Sequence, residues 1–491
     1  MQFRSDETEQ NSLFAFSVRD LVPKDSNIWS YIELFDSVDL SKFDNAYSGE
    51  GEVPLEPRLM LRTIFYGLTN GVVSGRKLMD RCRYDNRFLV LSGNQRPDRR
   101  SFDRFVNRHS VNFSLLMKDI VELAREKGLV NLGQISIDGS RFKAHTSPNK
   151  VVRYDKIDKT LNHIENRLKE LKKNLSKENK IEIREAERKK KRIEEAKKKI
   201  EDEYSARTKK HRSINNCSKS LNDIDAQSMS HKSESQGFKY GYNVQVAVAG
   251  ESQIIVSEDI HDSATDYQAL PKLLDKIEAD YDTVPDKVLV DRGYKSHTNL
   301  RELEERGIEG FVGVTGPKED EIEIQDIEYL TPEKDIHSYR CMSGKVVPID
   351  GRRKDGRTQL KFKESFCQDC EHQDKCKLFG KKTLNVPERS DFLRLVKLYQ
   401  RSRTEEYKQI YARRKACVEP VFGNMKYNKL FMLYVVGKKK VSTKFTMMCI
   451  AHNIEKIINK SKNLPHYFNN YIETVSKAVQ YFTNCRQVLF S

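Results

Sequence analysis

The stretch GQISIDGSRFKA, residues 133–144, decides the fold of the larger part of the chain. Its first half alternates apolar and polar side chains, which is typical of a β-strand, and the acid Asp138 ends the ISID run. The stretch KVLVDRGY, residues 287–294, repeats this pattern, with an apolar strand that ends at Asp291. Ligands of open α/β sheets bind at the carboxyl ends of strands, so we expect both acids to face one site.

The segments around these strands complete the predicted sheet. Strands are predicted over NVQVAVA (243–249), QIIVSEDI (253–260) and GIEGFVGV (307–314), and helices over LPKLLDKIEADY and HTNLRELEERG. The first strands form a hairpin and are therefore antiparallel, whereas helical crossovers make the later strands parallel. The sequence thus predicts an α/β fold with a mixed sheet.

A highly charged block, residues 154–211, separates the first strand from the next ones. Apolar residues recur in it at steps of four and three, then resume after the stretch SKENK: Ile157, Leu161, Ile164, Leu168, Leu171, Leu175, Ile193, Ala196 and Ile200. This heptad spacing predicts two helices packed as an antiparallel coiled coil. The hairpin separates two strand-like stretches and could be removed without changing either, so it is predicted to be an insertion.

The region before the sheet, residues 54–130, has helical periodicity with turn residues between its segments. Arg99, Arg100 and Arg104 lie near the start of its last predicted helix, which Asp98 or Ser101 would cap. Such a cluster fits DNA phosphates at a helix N-terminus. A solvated basic face on a plain helical bundle explains this stretch equally well.

Composition points to a polyanionic partner. The chain has 491 residues and a formal net charge of +16, which favours nucleic acid, although charge that only keeps the protein in solution is the simpler alternative. No stretch of about 18 apolar residues predicts a membrane span. The polar N-terminus is unlike a signal peptide, and nine cysteines in so long a chain indicate a reducing compartment, so the cytoplasm is expected.

Four of the cysteines are clustered between Asp291 and the C-terminal region. Cys367 and Cys370 form a C-x2-C pair, and Cys341 and Cys376 flank it. This set predicts a structural Zn²⁺ ion with tetrahedral thiolate ligands, with His372 as a substitute for one of them. An iron–sulfur cluster is the alternative.

The stretch YARRKACVEPVFGNMK, residues 411–426, holds one acid among many cations. Glu419 is the only Asp or Glu between Tyr407 and Asn453, and Arg413, Arg414, Lys415 and Lys426 surround it. A surface Glu that pairs with Lys415 is one explanation. The other is that Glu419 joins Asp138 and Asp291 in holding two divalent metal ions, which assist in-line phosphodiester chemistry. The basic side chains around Glu419 would then hold DNA phosphates.

These stretches, taken in order, resemble the bacterial insertion-sequence transposases of the DDE type, whose catalytic domain is RNase H-like. The further matching stretches are FKYGYNVQVAVA, DSATDYQALPKLL, PRLMLRTIFYGL, SGRKLMDRCRYDNRFLVLSG and PDRRSFDRF. The resemblance implies that Asp138, Asp291 and Glu419 are catalytic ligands of Mg²⁺ or Mn²⁺. It also implies a Tyr-Arg-Glu-Lys motif that contacts terminal DNA.

The residues that match this motif are Tyr411, Arg414, Glu419 and Lys426. Four residues separate Arg414 from Glu419, where three is the commonest pattern in the family, so Arg413 or Lys415 would be a substitute for Arg414. Pro420 directly follows the acid and predicts that a helix starts or kinks there.

The function expected from the resemblance is that of a DNA transposase, which cuts element ends and joins their 3′-OH to target DNA. A metal-dependent nuclease without strand transfer and a non-catalytic DNA-binding protein derived from a transposase are the alternatives. The expected partners are double-stranded DNA and a second copy of the chain.

The expected domains follow the same reasoning. They are a helical DNA-binding or dimerisation region (1–130), a catalytic core (131–150 and 215–315), a coiled-coil insertion (151–214), a Cys-rich insertion (316–395), the C-terminal core helices (396–460) and a helical tail (461–491).

Overall fold

The structure is a computed structural model of the whole chain. It describes residues 17–47, 53–173, 176–206, 213–230, 238–314, 328–330, 338–341, 345–347, 349–352, 358–361, 367–371, 376, 383–386, 389–427 and 435–461. The predicted C-terminal tail, the seam residue Leu175 and His372 lie outside these residues.

A mixed six-stranded sheet forms the centre of the molecule. Its strands are β1 (Gln134–Lys143), β4 (Gln227–Ser230), β5 (Phe238–Ala249), β6 (Ile254–His261), β7 (Lys287–Val290) and β8 (Glu309–Val312). β5 pairs antiparallel with β1, β4 and β6, whereas β1, β7 and β8 are parallel neighbours. The order β6-β5-β1-β7-β8, with an antiparallel half and a parallel half, is that of an RNase H-like fold. The predicted fold class is thereby confirmed.

Helices surround this sheet. The bounds before β1 are α1 (Ile28–Ser37), α2 (Ser41–Asp44), α3 (Pro57–Thr69), α4 (Gly75–Tyr84), α5 (Asn86–Leu91), α6 (Arg99–Arg108) and α7 (Asn112–Glu126). Those after it are α8 (Tyr154–Lys173), α9 (Lys177–Ser205), α10 (Leu270–Tyr281), α11 (His297–Glu305), α12 (Arg389–Ser402), α13 (Glu405–Tyr427) and α14 (Lys438–Ser461). None of the described helices is long and apolar enough to cross a bilayer.

One hydrophobic core joins the N-terminal helices to the sheet. Helix α14 is its centre: it packs against α7 and α3 on one side and β6 on the other. Asn453 on α14 fixes this contact, because its side chain accepts a hydrogen bond from Ile255 N at 2.8 Å and donates one to Ile255 O at 2.7 Å. The amide therefore pairs, like a strand residue, with the outer edge of β6, which α14 covers. The N-terminal helices and the sheet share one buried interior.

Helices α8 and α9 form a separate hairpin with its own small core. Seven residues of the predicted apolar seam are buried there, and Leu161 is partly buried. The seven are Ile157, Ile164, Leu168, Leu171, Ile193, Ala196 and Ile200. Ion pairs Lys190–Glu165 at 2.7 Å and Lys197–Asp158 at 2.8 Å show that the helices are antiparallel. A ribbon of β2 (Val151–Arg153) and β3 (Ser218–Ser220) closes the base. The supercoil of a true coiled coil stays a prediction.

Short strands occupy the described parts of the Cys-rich region. β9 (Glu328–Leu330), β10 (Ser338–Arg340) and β11 (Val346–Val347) form one small sheet, and β12 (Ile349–Arg352), β13 (Thr358–Lys361) and β14 (Thr383–Val386) form another. These strands lie between β8 and α12 in the chain, so the region connects the last strand of the central sheet to the C-terminal helices.

Candidate active site

Asp138 and Asp291 lie side by side at the carboxyl edge of the sheet. β1 and β7 run parallel with Ile137 opposite Val290, so the next residue on each strand is one of the two acids. The pair follows directly from the topology, because parallel neighbours end at the same edge.

The electrostatic environment of Asp138 favours a nearby cation. Burial raises the pKa of Asp138 to about 6; the Arg414 guanidinium lowers it, and the neighbouring Asp291 raises it further. Asp138 is therefore ionised at neutral pH, but its carboxylate is less stable there than in water. A cation at this edge of the sheet would stabilise it.

Asp291 is fixed by the turn that it starts. Its Oδ1 accepts a hydrogen bond from Gly293 N at 2.7 Å and so caps the short 3-10 turn Arg292–Tyr294. Tyr294, fully buried behind the turn, donates its hydroxyl proton to Gln245 Oε1. Burial above all, and then Asp266, Asp138 and Asp291, hold the pKa of Tyr294 far above its usual value, so it stays a neutral donor.

The first half of α13 lies across the carboxyl ends of three strands. The Tyr407 hydroxyl donates to Val312 O at 2.8 Å, where β8 ends. A Cβ at Gly313 would stand 2.4 Å from the Tyr411 hydroxyl, so only glycine leaves room for this ring. One turn later, Arg414 reaches Asp138 at the end of β1. Residues spaced by four and three share a helical face, which accounts for the alignment.

Arg414 is a buried cation in contact with the acid pair. Its Nη1 lies 3.2 Å from Asp138 Oδ2, and its side chain is only 9% exposed. Neither its Nε nor its Nη1 makes a hydrogen bond, so the contact is an ion pair without hydrogen-bond geometry. The family pattern implied DNA contact for this residue, whereas the structure places it on Asp138.

Beyond Arg414, α13 leaves the acid pair. Arg414 contacts Asp138, whereas Cys417, three residues later, lies next to Ser136, two positions earlier on β1. Burial raises the pKa of the Cys417 thiol, and the neighbouring Ser136 lowers that pKa. Glu419 is exposed and stands about 140° around the helix from Arg414. The structure thus brings Asp138 and Asp291 together and leaves Glu419 apart from them.

Pro420 lies inside α13, so the predicted helix start at this residue is wrong. A proline has no N–H to donate to the carbonyl four residues earlier, which here is that of Ala416. Gln253 Nε2 donates to this carbonyl instead, at 2.9 Å. A side chain directly before β6 thereby satisfies the carbonyl that the proline leaves without a partner, which local sequence could not reveal.

An acid that the sequence analysis did not assign lies at the same edge. Asp266 follows β6, and a Cβ at Gly293 would stand 3.1 Å from its Oδ2 and 2.9 Å from Asp291 Oδ1. The signal was present: β6 is antiparallel to β5, which is antiparallel to β1, so β6 ends at the same edge as β1. The stretch DSATD was used only as a family match.

The predicted zinc ligands do not form a metal site among the described residues. No group of three or more His, Cys, Asp or Glu is arranged there to hold a metal ion. Cys341, Cys367, Cys370 and Cys376 are thiols, each partly exposed. They are nevertheless neighbours, because the pKa of Cys367 is raised by burial and then by Cys370, Cys376 and Cys341.

A cationic groove lies between helices α3, α4 and α6 and the first turns of α14. Its volume is about 860 Å³; Leu68 and Phe102 are among its apolar walls, and its cations are Arg76, Arg99, Lys439, Lys440 and Lys444. Asp98 caps α6, accepting from Ser101 N at 2.7 Å, and the predicted Arg99, Arg100 and Arg104 are exposed on this helix. Of the three, only Arg99 lines the groove.

The remaining predicted DNA contacts lie on α13. Arg413, Lys415 and Lys426 are exposed, whereas Tyr411 is half-buried beside Arg414, whose guanidinium carbon lies 6.0 Å from the centre of the Tyr411 ring. The helix therefore presents cations to solvent along the side that does not face the sheet.

Comparisons with known proteins agree with this architecture. Residues 216–454 match the Transposase DDE domain family, and residues 16–108 match a second family, Transposase domain (DUF772). The chain belongs to the DDE transposases. The DDE match contains Asp291 and Glu419 and begins after Asp138. As a DDE transposase, the chain is an enzyme that binds, cleaves and transfers DNA, and DDE domains use divalent metal ions for this.

Structural similarity to solved transposases is distant. A piggyBac transposase in a synaptic complex with hairpin DNA is similar over 91% of this chain and 74% of that chain, at 9% identity and a TM-score of 0.32. A similarity this low transfers no residue roles to the transposase described above. No curated protein matches the chain.

Proposed function

We propose that this transposase cuts DNA at the ends of its element and joins the freed 3′-OH to target DNA, with Mg²⁺ or Mn²⁺ bound by Asp138 and Asp291. The observation that carries the proposal is the meeting of these two acids at the carboxyl edge of β1 and β7. A pair of adjacent, partly buried carboxylates needs a cation, and the position is the one where α/β sheets bind ligands.

The donor set fits a hard divalent cation. Mg²⁺ takes one or two protein carboxylates and completes its shell with water and phosphate oxygens. Gly139 follows Asp138, and a Cβ there would stand 2.4 Å from Gln245 Nε2; the equivalent atom at Gly293 would crowd Asp291. Glycine at both positions keeps open the space beside the two acids. When bound, the ions stabilise charge on the attacking and leaving oxygens.

The reaction consists of two phosphoryl transfers. In the first, a water oxygen bonds to phosphorus, the bond from phosphorus to the 3′-oxygen breaks, and a 3′-OH and a 5′-phosphate result. In the second, that 3′-oxygen attacks a target phosphate and displaces another 3′-oxygen. Asp138 and Asp291 orient the reacting groups, and Tyr411 and the exposed Arg413 and Lys415 hold the flanking phosphates.

Glu419 is retained in the proposal as the third catalytic carboxylate, on the strength of the family pattern. Its distance from the pair requires that α13 shift when DNA is bound. Such a shift is eased at Pro420, because the Ala416 carbonyl is held by Gln253 and not by a helix hydrogen bond. Arg414 would then leave Asp138 and pair with a DNA phosphate.

The N-terminal cations contribute a second DNA contact. Arg99, Arg100 and Arg104 on α6, with Lys426 on α13, would bind phosphates without reading sequence. Pairing two element ends requires two copies of the chain, so we propose at least a homodimer on DNA. Structural Zn²⁺ stays a prediction, which elemental analysis of the purified protein tests; absence of zinc would remove it.

Purified protein incubated with Mg²⁺, labelled DNA from the flanks of its coding sequence and a plasmid target tests the function. The expected products are nicked or cut ends and labelled plasmid. Cut ends without labelled plasmid would indicate a nuclease, and salt-sensitive binding without any cut would indicate a DNA-binding protein. Asp286→Asn, at the opposite end of β7, is the matched control for Asp291→Asn.

A further inference from the structure

A third carboxylate, Asp266, lies at the edge where Asp138 and Asp291 meet. It lies in the loop that follows β6, a strand that runs in the same direction as β1. A Cβ at Gly139 would stand 3.1 Å from Asp266 Oδ1, and one at Gly293 would stand 3.1 Å from Asp266 Oδ2. Asp266 therefore lies beside the two glycines that follow the pair, Gly139 and Gly293.

Two buried amides hold Asp266 in this position. Asn243 Nδ2 and Gln245 Nε2 donate to its Oδ1 at 2.9 and 2.7 Å, and Gln245 Nε2 also donates to Asn243 Oδ1 at 2.8 Å. Asn243 is 3% exposed and Gln245 is fully buried. Both point to the same face of β5, since they are two residues apart, and buried amides in a strand are costly unless they are fully bonded.

The other oxygen of Asp266 is left for a ligand. Within the described part of the chain, no group donates a hydrogen bond to Oδ2, which faces Gly293 and Asp291. Tyr294 completes the support, because its hydroxyl donates to the Oε1 of Gln245 and so fixes the amide that turns its Nε2 toward Asp266.

The cluster has more negative charge than its buried cation neutralises. Three carboxylates carry three negative charges when ionised, and Arg414 supplies one positive charge, which leaves two. Arg414 is 8% exposed, and its Nε and Nη1 make no hydrogen bond although Nη1 approaches Asp138. A buried guanidinium that lies against the acids with two of its three nitrogens unsatisfied indicates a site shaped for positive charge, which this side chain fills poorly.

We propose that Asp266 is a further ligand of the divalent cation, shared with Asp291, and that Asn243 and Gln245 are its positioning residues. The inference rests on the proposed function, since it assigns a third acid to the same site. The described carboxylates do not yet form a group at metal-ligand spacing, so the ion would draw Asp266 Oδ2 and Asp291 together. Asp266 can bind the ion in the DNA-free protein, whereas Glu419 reaches the site only after DNA is bound.

Mn²⁺ binding to the DNA-free protein tests the proposal without any cleavage assay. The bound fraction is measured from the decrease of the free Mn²⁺ signal in electron paramagnetic resonance. Asp266→Asn keeps an oxygen for Asn243 and Gln245 but loses the charge. It should weaken Mn²⁺ binding by at least about tenfold. Asp291→Asn should weaken it at least as much. Asp262→Asn, in the same loop and paired with Lys438 at the surface, should leave it unchanged.

Three outcomes distinguish the role of Asp266 from the existence of the metal site. If Asp266→Asn binds Mn²⁺ like the parent while Asp291→Asn does not, Asp266 is no ligand and the proposed function stands. If Asp291→Asn also binds like the parent, the proposed metal site itself is wrong. If both weaken binding and Asp262→Asn does not, the proposal is supported. Circular dichroism checks folding, and Asp266→Ser, which keeps a hydroxyl for the amides, replaces any variant that does not fold.

Discussion

The two halves of α13 differ in how they meet the sheet. Tyr407, Tyr411 and Arg414 share the face that covers the strand ends, whereas Glu419 in the second half is exposed to solvent. One turn after Arg414, the position on the covered face is occupied by Val418, which is fully buried. The extra residue between Arg414 and Glu419 therefore rotates the acid away by about 100°.

This difference shows which kinds of position a sequence can specify. An acid at the end of a parallel strand is placed by topology, since neighbouring strands end at one edge whatever their exact length. The direction of an acid on a helix depends on its angular position around the helix axis, and inserting a single residue moves it to another face. The pair from the strands is assembled in the structure, and the acid from the helix is not.

The strand acids should give the largest effect. Asp138→Asn or Asp291→Asn is expected to lower the rate of end cleavage on the order of 10³-fold or more, because each removes a ligand of ions that contribute several kcal/mol to the transition state. Gel assays of cleavage, with DNA affinity measured in parallel, check this. Asp286→Asn should cleave normally, and normal cleavage by Asp291→Asn would end the assignment.

Glu419 tests the other half of the comparison. Glu419→Gln is expected to lower cleavage by about 10²-fold while leaving Mn²⁺ affinity of the DNA-free protein unchanged, because the acid reaches the pair only after DNA binds. Measuring both quantities on one preparation separates the steps. Full cleavage would restrict the site to strand acids, and weaker Mn²⁺ binding would mean that Glu419 already faces the pair in solution.

The buried ion pair should contribute to stability. Arg414→Met leaves Asp138 without its partner and is expected to lower the free energy of unfolding by about 3 kcal/mol at pH 7. Urea unfolding measures it, and the Arg414→Met, Asp138→Asn double variant should recover most of the loss. Arg99 pairs with Asp103 across one helical turn at 59% and 54% exposure, so Arg99→Met is the matched control. That change should cost less than about 1 kcal/mol.

A cation without a carboxylate partner should behave differently from Arg414. Lys444 on α14 donates to Val73 O at 3.1 Å, and burial lowers its pKa from 10.5 to about 8, against the opposing effect of Asp103. The folded chain then holds this proton less tightly than the unfolded chain does. The free energy of unfolding should therefore rise, on the order of 1 kcal/mol, as pH increases from 8 toward 10.5.

The Lys444→Met variant isolates this contribution. The difference between the parent and the variant in urea unfolding at pH 7, 8, 9 and 10 should rise through that window and stay constant below it. A flat difference over the whole range would show that Lys444 keeps an ordinary pKa. By contrast, Arg414, whose pKa is raised chiefly by Asp138 against the effect of burial, should give no pH dependence there.

Much of the fold follows from sequence pattern. Alternation and strand-end acids predicted the strands around Asp138 and Asp291, and heptad spacing predicted the two helices of the hairpin. Three features depend on contacts distant in sequence and were not predicted. The amides of Asn243 and Gln245 that hold Asp266 are recognisable only after β5 and β6 are paired. The continuity of α13 through Pro420 depends on Gln253, and the burial of Arg414 depends on which helical face meets β1.

The hairpin of α8 and α9 determines how far the protein extends from its central sheet. Backbone bonds from Tyr154 N to Cys217 O at 2.9 Å and from Leu221 N to Lys150 O at 2.7 Å tie its two ends together at the base. Its length can therefore change without altering the sheet from which it emerges. The longer helix has 29 residues and extends about 43 Å, the length of roughly 13 base pairs of DNA. An arm of this size, fixed next to β1, sets a distance from the cutting site at which the protein can hold DNA or a second copy of itself.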